Sequence, residues 1–369
     1  MYSEAEIAWM KDAIALAKNG LYTTRVNPRV GCVLVKNGQK IASGWHEFPG
    51  GPHAEINALS KVNDARGATC YVTLAPCAHY GKTPPCTEAL IQAGITRVVV
   101  ACEDPNPLVG KNSQERLMQA GIAYASGLCQ AEAHALNQGF FMRMQAQRPF
   151  VRLKTAMSLD GRTAMKCGQS QWITGIPSRQ LVQKLRAQSD VILTGIETVL
   201  IDDPSLTVRD EEILSLTHFK PPHRVILDTA LRMPLGAKLL SLPAEVWIYT
   251  CSADEEKKAA LSERGAKIFM MPEKDRCVDL VAVMHHLAEQ QVNEVLVEAG
   301  SRLNGSFLQA GLVDEWHLFI APKIMGDTAR GLCTLPITEL TEAYALTIKQ
   351  HFQVGEDWCV IAHPAQHSA

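Results

Sequence analysis

The chain has no excess of basic residues. Its 36 Lys and Arg stand against 38 Asp and Glu, a formal charge of −2. Without a basic field to meet a polyanionic backbone, nucleic acid is not expected as a partner. It has no apolar run of the roughly 18 residues that a membrane-spanning helix requires, so no membrane association is expected. The first twenty residues lack the basic region and apolar run of a secretory signal. The eleven cysteines are scattered and odd in number, which argues against a disulfide framework and for a reducing cytoplasm. No G-x-G-x-x-G follows a strand, so a standard dinucleotide-binding fold is not supported. No internal repeat is present. The remainder is ordinary for a globular protein, 47% hydrophobic and 20% charged over 369 residues, a length that favours two domains.

Periodicity divides the chain into two α/β halves. Ile7, Met10, Ile14 and Ala17 share one helical face, and Gly20 stops that helix. Asn37-Gly38 between two short apolar runs predicts a β-hairpin. A helix is expected from about His53, a strand over 69–74, a helix from Cys86, a strand over 96–102, then another helix and strand, and a helical stretch over 134–147. The alternation implies a mostly parallel sheet. The boundary is placed near Arg148-Pro149, giving domains 1–147 and 148–369. In the second domain strands are expected near 150–154, 190–194, 224–228, 246–249, 267–270 and 294–298, with helices over 254–264 and 278–290. The last segments, 316–321, 344–349 and 358–362, read as more antiparallel.

The chemistry concentrates in His53-Ala-Glu55, then Pro76-Cys77, then Cys86. One imidazole and two thiols suffice to hold zinc and leave its fourth position to water, the arrangement of a catalytic zinc site. A carboxylate beside the ligands, here Glu55, then shuttles protons, as in zinc-dependent deamination. His53 and Glu55 fall at the start of one expected helix and Cys86 at the start of another. Helix N-termini favour thiolates and other anions.

In the second half, strand EVLVE298 is followed by Ala299-Gly300-Ser301-Arg302-Leu303-Asn304-Gly305-Ser306 and then by helix. A small-residue turn there is a place for a pyrophosphate on backbone N–H groups.

These residues carry a resemblance. HAE with PC-AHYGKTPP-C, after Asn27-Pro28-Arg-Val-Gly31 and before Asp104-Pro105-Asn106-Pro107, resembles the deaminase domain of the bifunctional riboflavin-biosynthesis deaminase/reductases. The eight residues between the cysteines separate it from cytidine and transfer-RNA adenosine deaminases. Lys154 to Gly161, Ser170 to Thr174 and Asp202 to Arg209 match the reductase half of the same family. The resemblance implies a cytidine-deaminase-like three-layer α/β domain followed by a dihydrofolate-reductase-like α/β domain. It implies one Zn2+ on His53, Cys77 and Cys86, Glu55 as proton shuttle, and Asn27, His46, His79 and Lys82 lining the first pocket. For the second pocket it implies NADPH, contacted by Ala156, Trp172, Thr198, Asp202, Thr229 and the 300–306 turn. Substrate contacts there would be Lys154, Ser170, Arg186, Leu206, Arg209 and Glu298, with Lys154 and Glu298 as polarising or protonating groups. Arg186 and Arg209 suit a 5′-phosphate. The implied activity is deamination of a diaminopyrimidinone ribosylamine 5′-phosphate, then reduction of its ribosyl chain to ribityl, in a homodimer joined through the reductase half.

Two positions depart from the family pattern. Ala75 stands where Glu is usual, and Leu108-Val-Gly-Lys-Asn112 replaces a Gly-rich segment. Ala75 makes a weakened deaminase half an alternative reading. A nucleoside or nucleic-acid deaminase with an appended domain is another.

Overall fold

The computed structural model describes residues 2–78, 84–106 and 110–365. The chain forms two units. The first runs up to Ala146 and includes Leu216–Phe219; the second comprises Gln147–Ser215 and the chain from Lys220 onward.

In the first unit, α1 (Glu4–Ala17) buries Met10, Ile14 and Ala17. Strands β1 (Gly31–Lys36) and β2 (Gln39–Trp45) form the hairpin expected at Asn37-Gly38, where both residues take positive φ. With β3 (Thr69–Leu74), β4 (Arg97–Cys102) and β5 (Ala123–Ser126) they make a sheet of order β2-β1-β3-β4-β5. The sheet is mixed rather than mostly parallel: β1 runs antiparallel to both β2 and β3, and only β3-β4-β5 is parallel. The tight hairpin forces the first reversal. One face packs Cys32, Leu34, Cys70, Val72, Val98 and Val100 beneath α2 (Ala54–Leu59) and α3 (Cys86–Gln92). The other packs Val33, Tyr71 and Val99 against α1. The layering is helix, sheet, helix, completed by α4 (Gly110–Gln119), α5 (Gln130–Leu136) and α6 (Gln138–Ala146). The single helical stretch expected over 134–147 is thus interrupted. Asn137 sits at φ −126° between α5 and α6, where its amide accepts from the Arg29 N–H and donates to the Arg29 carbonyl. Its backbone stays bonded through the break, the N–H to the His134 carbonyl and the carbonyl to the Phe141 N–H, so the side chain is free to tie the junction to Arg29.

The second unit contains β6 (Phe150–Ser158), β7 (Arg162–Ala164), β8 (Val191–Gly195), β9 (His223–Leu227), β10 (Val246–Thr250), β11 (Ala266–Met270), β12 (Glu273–Lys274), β13 (Cys277–Val278), β14 (Glu294–Val297), β15 (Glu315–Ala321), β16 (Arg330–Gly331), β17 (Leu346–Val354) and β18 (Asp357–Pro364). Nine of these build one sheet in the order β11-β10-β9-β8-β14-β6-β15-β18-β17. It is parallel from β11 to β15 and antiparallel at β15-β18-β17, in keeping with the antiparallel end read from the sequence. Its helices are α7 (Ile176–Gln188), α8 (Ile196–Asp202), α9 (Glu211–Leu214), α10 (Glu255–Glu263), α11 (Leu280–Glu289) and α12 (Ser301–Gln309). The central strands read as continuous apolar runs because both faces are covered. Val151, Leu153, Val295 and Val297 face one core. Leu296 and Phe319 face another, beneath Val182 and Leu185 of α7.

The chain passes from β8 to β9, β10 and β11 in one direction, while β14 and β6 lie on the other side of β8. Ligands of open α/β sheets bind beyond the carboxyl ends of strands at such a reversal. Among the described residues no helix is long and apolar enough to cross a membrane.

Candidate active sites

In the first unit, the chain folds His53 into the N-cap of α2, with extended φ −70° and ψ 164°. Glu55 follows in the first turn. An extended cap followed by a helical residue lets positions 53 and 55 serve one pocket, which helical periodicity alone would forbid. Cys86 is the first residue of α3, and its N–H donates to Cys77 Sγ at 3.3 Å. His53 Nδ1 lies 3.3 Å from Cys86 Sγ and 3.6 Å from Cys77 Sγ. The three donor atoms all fall within 4.8 Å of one another. Tetrahedral zinc with ordinary Zn–N and Zn–S bonds sets nitrogen and sulfur about 3.6 Å apart. The donor set therefore fits zinc in both chemistry and spacing.

The three donors perturb one another: the Cys86 thiol is pushed up by its hydrogen bond to Cys77 and by burial. Hydrogen bonding from Cys86, and then from His53, holds the Cys77 thiol well below its ordinary value. Its bond to Cys77 raises His53. Glu55 is 3% exposed; burial pushes its carboxyl up, and His53 opposes this. A carboxylate so placed readily takes up a proton.

Asn27 and His46 are brought to the same place. The His46 and His53 rings meet edge to face, centroids 5.6 Å apart. His46 Nδ1 lies 3.0 Å from the Pro52 carbonyl, which can only accept, so Nδ1 carries the proton. Nε2 then accepts from the Asn27 amide at 3.0 Å, and the amide's orientation is fixed. Burial holds His46 below its ordinary value, consistent with a neutral ring. His79 and Lys82 lie outside the described residues. Ala75 packs in the apolar cluster with Ala54, Ala58 and Leu90.

In the second unit, the polar cluster lies where β14 and β6 meet α7. Arg186 Nε and Nη2 donate to the two Glu298 oxygens at 2.5 and 3.0 Å, and Nη1 donates to the Thr207 carbonyl at 2.8 Å. Lys154 Nζ lies 3.9 Å from Glu298. The Arg186 guanidinium thus meets Glu298 and Thr207 in this cluster. Among the described residues the exposed Arg209 guanidinium has no ion-pair partner. Burial alone would raise Glu298, but Arg186, Lys154 and Arg209 outweigh it and hold the carboxyl below its usual range. Burial lowers Lys154, with Glu298 opposing.

The glycine turn is shorter than expected. Gly300 is the N-cap and α12 begins at Ser301, so only Ala299 and Gly300 form the turn. Ser301, Arg302 and Leu303 present the unpaired N–H groups of the first turn. Asn304 and Gly305 are buried in the helix. Asn304 donates to Thr155 Oγ1 and the Leu332 carbonyl, and a Cβ on Gly305 would stand 2.0 Å from the Thr334 carbonyl oxygen. Gly305 is therefore a packing glycine. Ser306 is exposed and bonds back to the Arg302 carbonyl. Leu206 is 5% exposed in an apolar cluster with Ile192, Val199 and Ile226, so its backbone is what it can offer a ligand. Thr198 and Asp202 lie on α8 beyond β8, Ala156 on β6, and Thr229 two residues past β9.

Trp172 is 59% exposed, and the Arg179 guanidinium lies 4.4 Å from its ring centroid. Its loop, which includes Ser170, is anchored by residues the sequence reading did not single out. Lys323 Nζ donates to the Trp172 and Ile173 carbonyls. Asp357 accepts from the Gly175 N–H and the Ser178 hydroxyl at the start of α7. No local motif marks either residue.

Comparison with known proteins places both units. Residues 3–102 match the cytidine and deoxycytidylate deaminase zinc-binding region, and residues 149–360 match the RibD C-terminal domain. The riboflavin biosynthesis protein RibD of Escherichia coli is 45% identical over 361 residues, covering 95% of this chain and 97% of that protein. That of Haemophilus influenzae is 44% identical, covering 96% of each. The solved structure of Acinetobacter baumannii RibD superposes with a TM-score of 0.92 at 43% identity, over 98% of this chain and 99% of that one. A deaminase/reductase structure from Thermotoga maritima gives 0.85 at 33% identity, over 98% and 99%. The zinc-fitting donor set and the two matched units converge on one conclusion: the chain belongs to the RibD family of bifunctional riboflavin-biosynthesis enzymes, in which a zinc-dependent deaminase is joined to an NADPH-dependent reductase.

Proposed function

We propose that residues 1–147 deaminate a 2,5-diamino-6-ribosylamino-4(3H)-pyrimidinone 5′-phosphate and that residues 148–369 reduce the ribosyl chain of the product to ribityl. The observation that carries this reading is the pairing in one chain of a His53/Cys77/Cys86 donor set beside Glu55 with a largely buried Lys154/Glu298 pair, Lys154 within β6 and Glu298 just after β14.

At the first site His53, Cys77 and Cys86 hold the metal, which when bound supplies Lewis-acid activation of a water molecule. Glu55 takes a proton from that water and passes it to the ring nitrogen and then to the departing ammonia. Asn27 and His46 orient the ring, with His46 neutral; His79 and Lys82 are assigned to the same pocket on family resemblance alone.

When bound at the second site, NADPH would supply the hydride for C1 of the ring-opened imine. Lys154 delivers the accompanying proton to the imine nitrogen, and its burial makes the ammonium a readier donor than a solvated lysine. Glu298 holds Lys154 in place. Ala156, Trp172, Thr198, Asp202, Thr229 and Gly300 to Leu303 are assigned to the cofactor, and Ser170, Arg186, Leu206 and Arg209 to the substrate.

The protein is further read as cytoplasmic. It is read as a homodimer joined through the second unit. The edge strand β17 and its neighbour β18 expose Ile348, Phe352 and Trp358, which suits a buried contact.

Arg209→Ala tests the phosphate assignment. The reductase KM should rise at least about tenfold for the phosphorylated substrate, the loss of one charge-assisted contact. An unchanged KM would remove Arg209 from the phosphate site.

A further inference from the structure

Three charged side chains hold four consecutive peptide groups of the segment that carries Trp172. Lys323, just past β15, donates from Nζ to the Trp172 carbonyl at 3.1 Å and to the Ile173 carbonyl at 2.7 Å. Arg179, in the first turn of α7, donates to the Thr174 carbonyl at 3.1 Å. Asp357, at the start of β18, accepts from the Gly175 N–H at 2.7 Å. The Lys323 end is fixed as well. Its carbonyl accepts from the Leu159 N–H, and Asp160 accepts from the Met325 and Gly326 N–H groups. A surface loop can leave its peptide groups to water, so charged partners on four in a row mark a segment held in one place. The side chains are divided in the same way. Ile173 and Thr174 are each 8% exposed, whereas Trp172 beside them is 59% exposed. The Arg179 guanidinium covers one face of the indole and leaves the other open. Folding gains little from fixing an exposed ring. A flat ligand seated on the open face gains much more.

We propose that Lys323 is a positioning residue of the reductase, which holds the Trp172 and Ile173 carbonyls and so presets the indole as a wall for the nicotinamide cofactor. The other two charged groups also serve the helix that follows. Asp357 accepts from the Ser178 hydroxyl and supplies the acceptor that Gly175 lacks at the start of α7, and Arg179 lies within that helix. Lys323 reaches the peptide of Trp172 itself, across 151 residues of sequence. Among the described residues its ammonium has no carboxylate partner; two of its three donors meet neutral carbonyls. Without the ammonium both carbonyls would turn to water, and the cofactor would have to order the indole as it bound. Ordering at the moment of binding lowers affinity. The loss falls on the cofactor, since Lys154, Glu298 and Arg209 stand on other segments.

This inference rests on Trp172 being a cofactor contact, and the test separates the two claims. In the full chain, Lys323→Met, Lys323→Arg, Trp172→Ala and the Lys323→Met/Trp172→Ala double variant are assayed for NADPH oxidation with the deaminated substrate, each reactant varied in turn. Lys323→Met should raise the NADPH KM roughly three- to tenfold, the share of one side chain that binding must order. The pyrimidine KM, and kcat at saturating NADPH, should change less than about twofold. Lys323 is exposed, and a retained kcat shows that the second unit of the variant is folded. Lys323→Arg can still donate to two carbonyls and should keep most of the wild-type NADPH affinity. In the Trp172→Ala background Lys323→Met should add little, because both act through one indole. An unchanged NADPH KM in Lys323→Met, beside a raised one in Trp172→Ala, would overturn the proposal. Losses that multiply in the double variant would also overturn it and make Lys323 a cofactor contact in its own right. A fall in kcat with both KM values unchanged would overturn it as well. If Trp172→Ala alone left the NADPH KM unchanged, the cofactor assignment of Trp172 would fail, and the proposal with it.

Discussion

Replacing Glu55 with glutamine should leave one zinc per chain and lower ammonia release by about 10²- to 10⁴-fold, the usual share of a positioned acid–base group. Glutamine has nearly the same shape, so the apolar packing around α2 should survive. What it cannot do is accept a proton from the attacking water. The metal should stay because its three protein donors are His53 Nδ1 and the Cys77 and Cys86 sulfurs, already gathered within 4.8 Å. Metal analysis and ammonia release on the same sample check both halves of the expectation. Near-wild-type release would end the shuttle role. Loss of zinc along with activity would instead make Glu55 part of the metal's support.

Lys154→Met should have the larger effect on the second reaction, lowering reductase kcat by about 10²- to 10³-fold while ammonia release is kept. Methionine fills much of the same volume beside β15 but carries no proton and no charge. Glu298 would remain paired to Arg186, so the variant does not strand a buried carboxylate, the main route by which such a change unfolds a protein. Following NADPH oxidation with the deaminated substrate measures it. A loss confined to KM would show that Lys154 binds the substrate rather than taking part in the reaction.

Much of the first site was legible because its donors lie in short, punctuated segments. His53 and Glu55 open a helix, Pro76-Cys77 follows a strand, and Pro84-Pro85 leads into Cys86. The metal geometry then needs only that those segment ends meet: the parallel β3-α3-β4 crossing gathers Cys77 and Cys86, and α2, between β2 and β3 in the chain, brings His53. The second site was less legible because its key contact is not local. Nothing near Arg186 in sequence shows that Glu298, its partner here, stands 112 residues away. The start of α12 was misplaced for a different reason. Gly300, Ser301, Gly305 and Ser306 resemble turn residues by composition, yet tertiary packing overrides weak helix propensity. Gly305 is required by the close approach of Thr334, not by a turn. The break at Asn137 was hidden in the same way, since its cause is the backbone of Arg29, distant in sequence. The placement of Leu216–Phe219 with the first unit likewise has no local signal.

Ala75 introduced a question about the strength of the deaminase half. Its side chain fills apolar space beside Ala54 and Leu90, while the donor atoms and Glu55 are assembled by α2, α3 and the end of β3. A full deaminase rate is therefore expected of the first unit.

The most direct measurement is a paired count of products from the intact chain, loaded with zinc and given NADPH and the diaminopyrimidinone ribosylamine 5′-phosphate. Wild type should release ammonia and oxidise NADPH in equal amounts. Glu55→Gln should do neither with that substrate, yet oxidise NADPH at the wild-type rate when given the deaminated intermediate. NADPH oxidation by Glu55→Gln on the undeaminated substrate, or ammonia release by wild type with no NADPH consumed, would contradict the assignment of two ordered reactions to one chain.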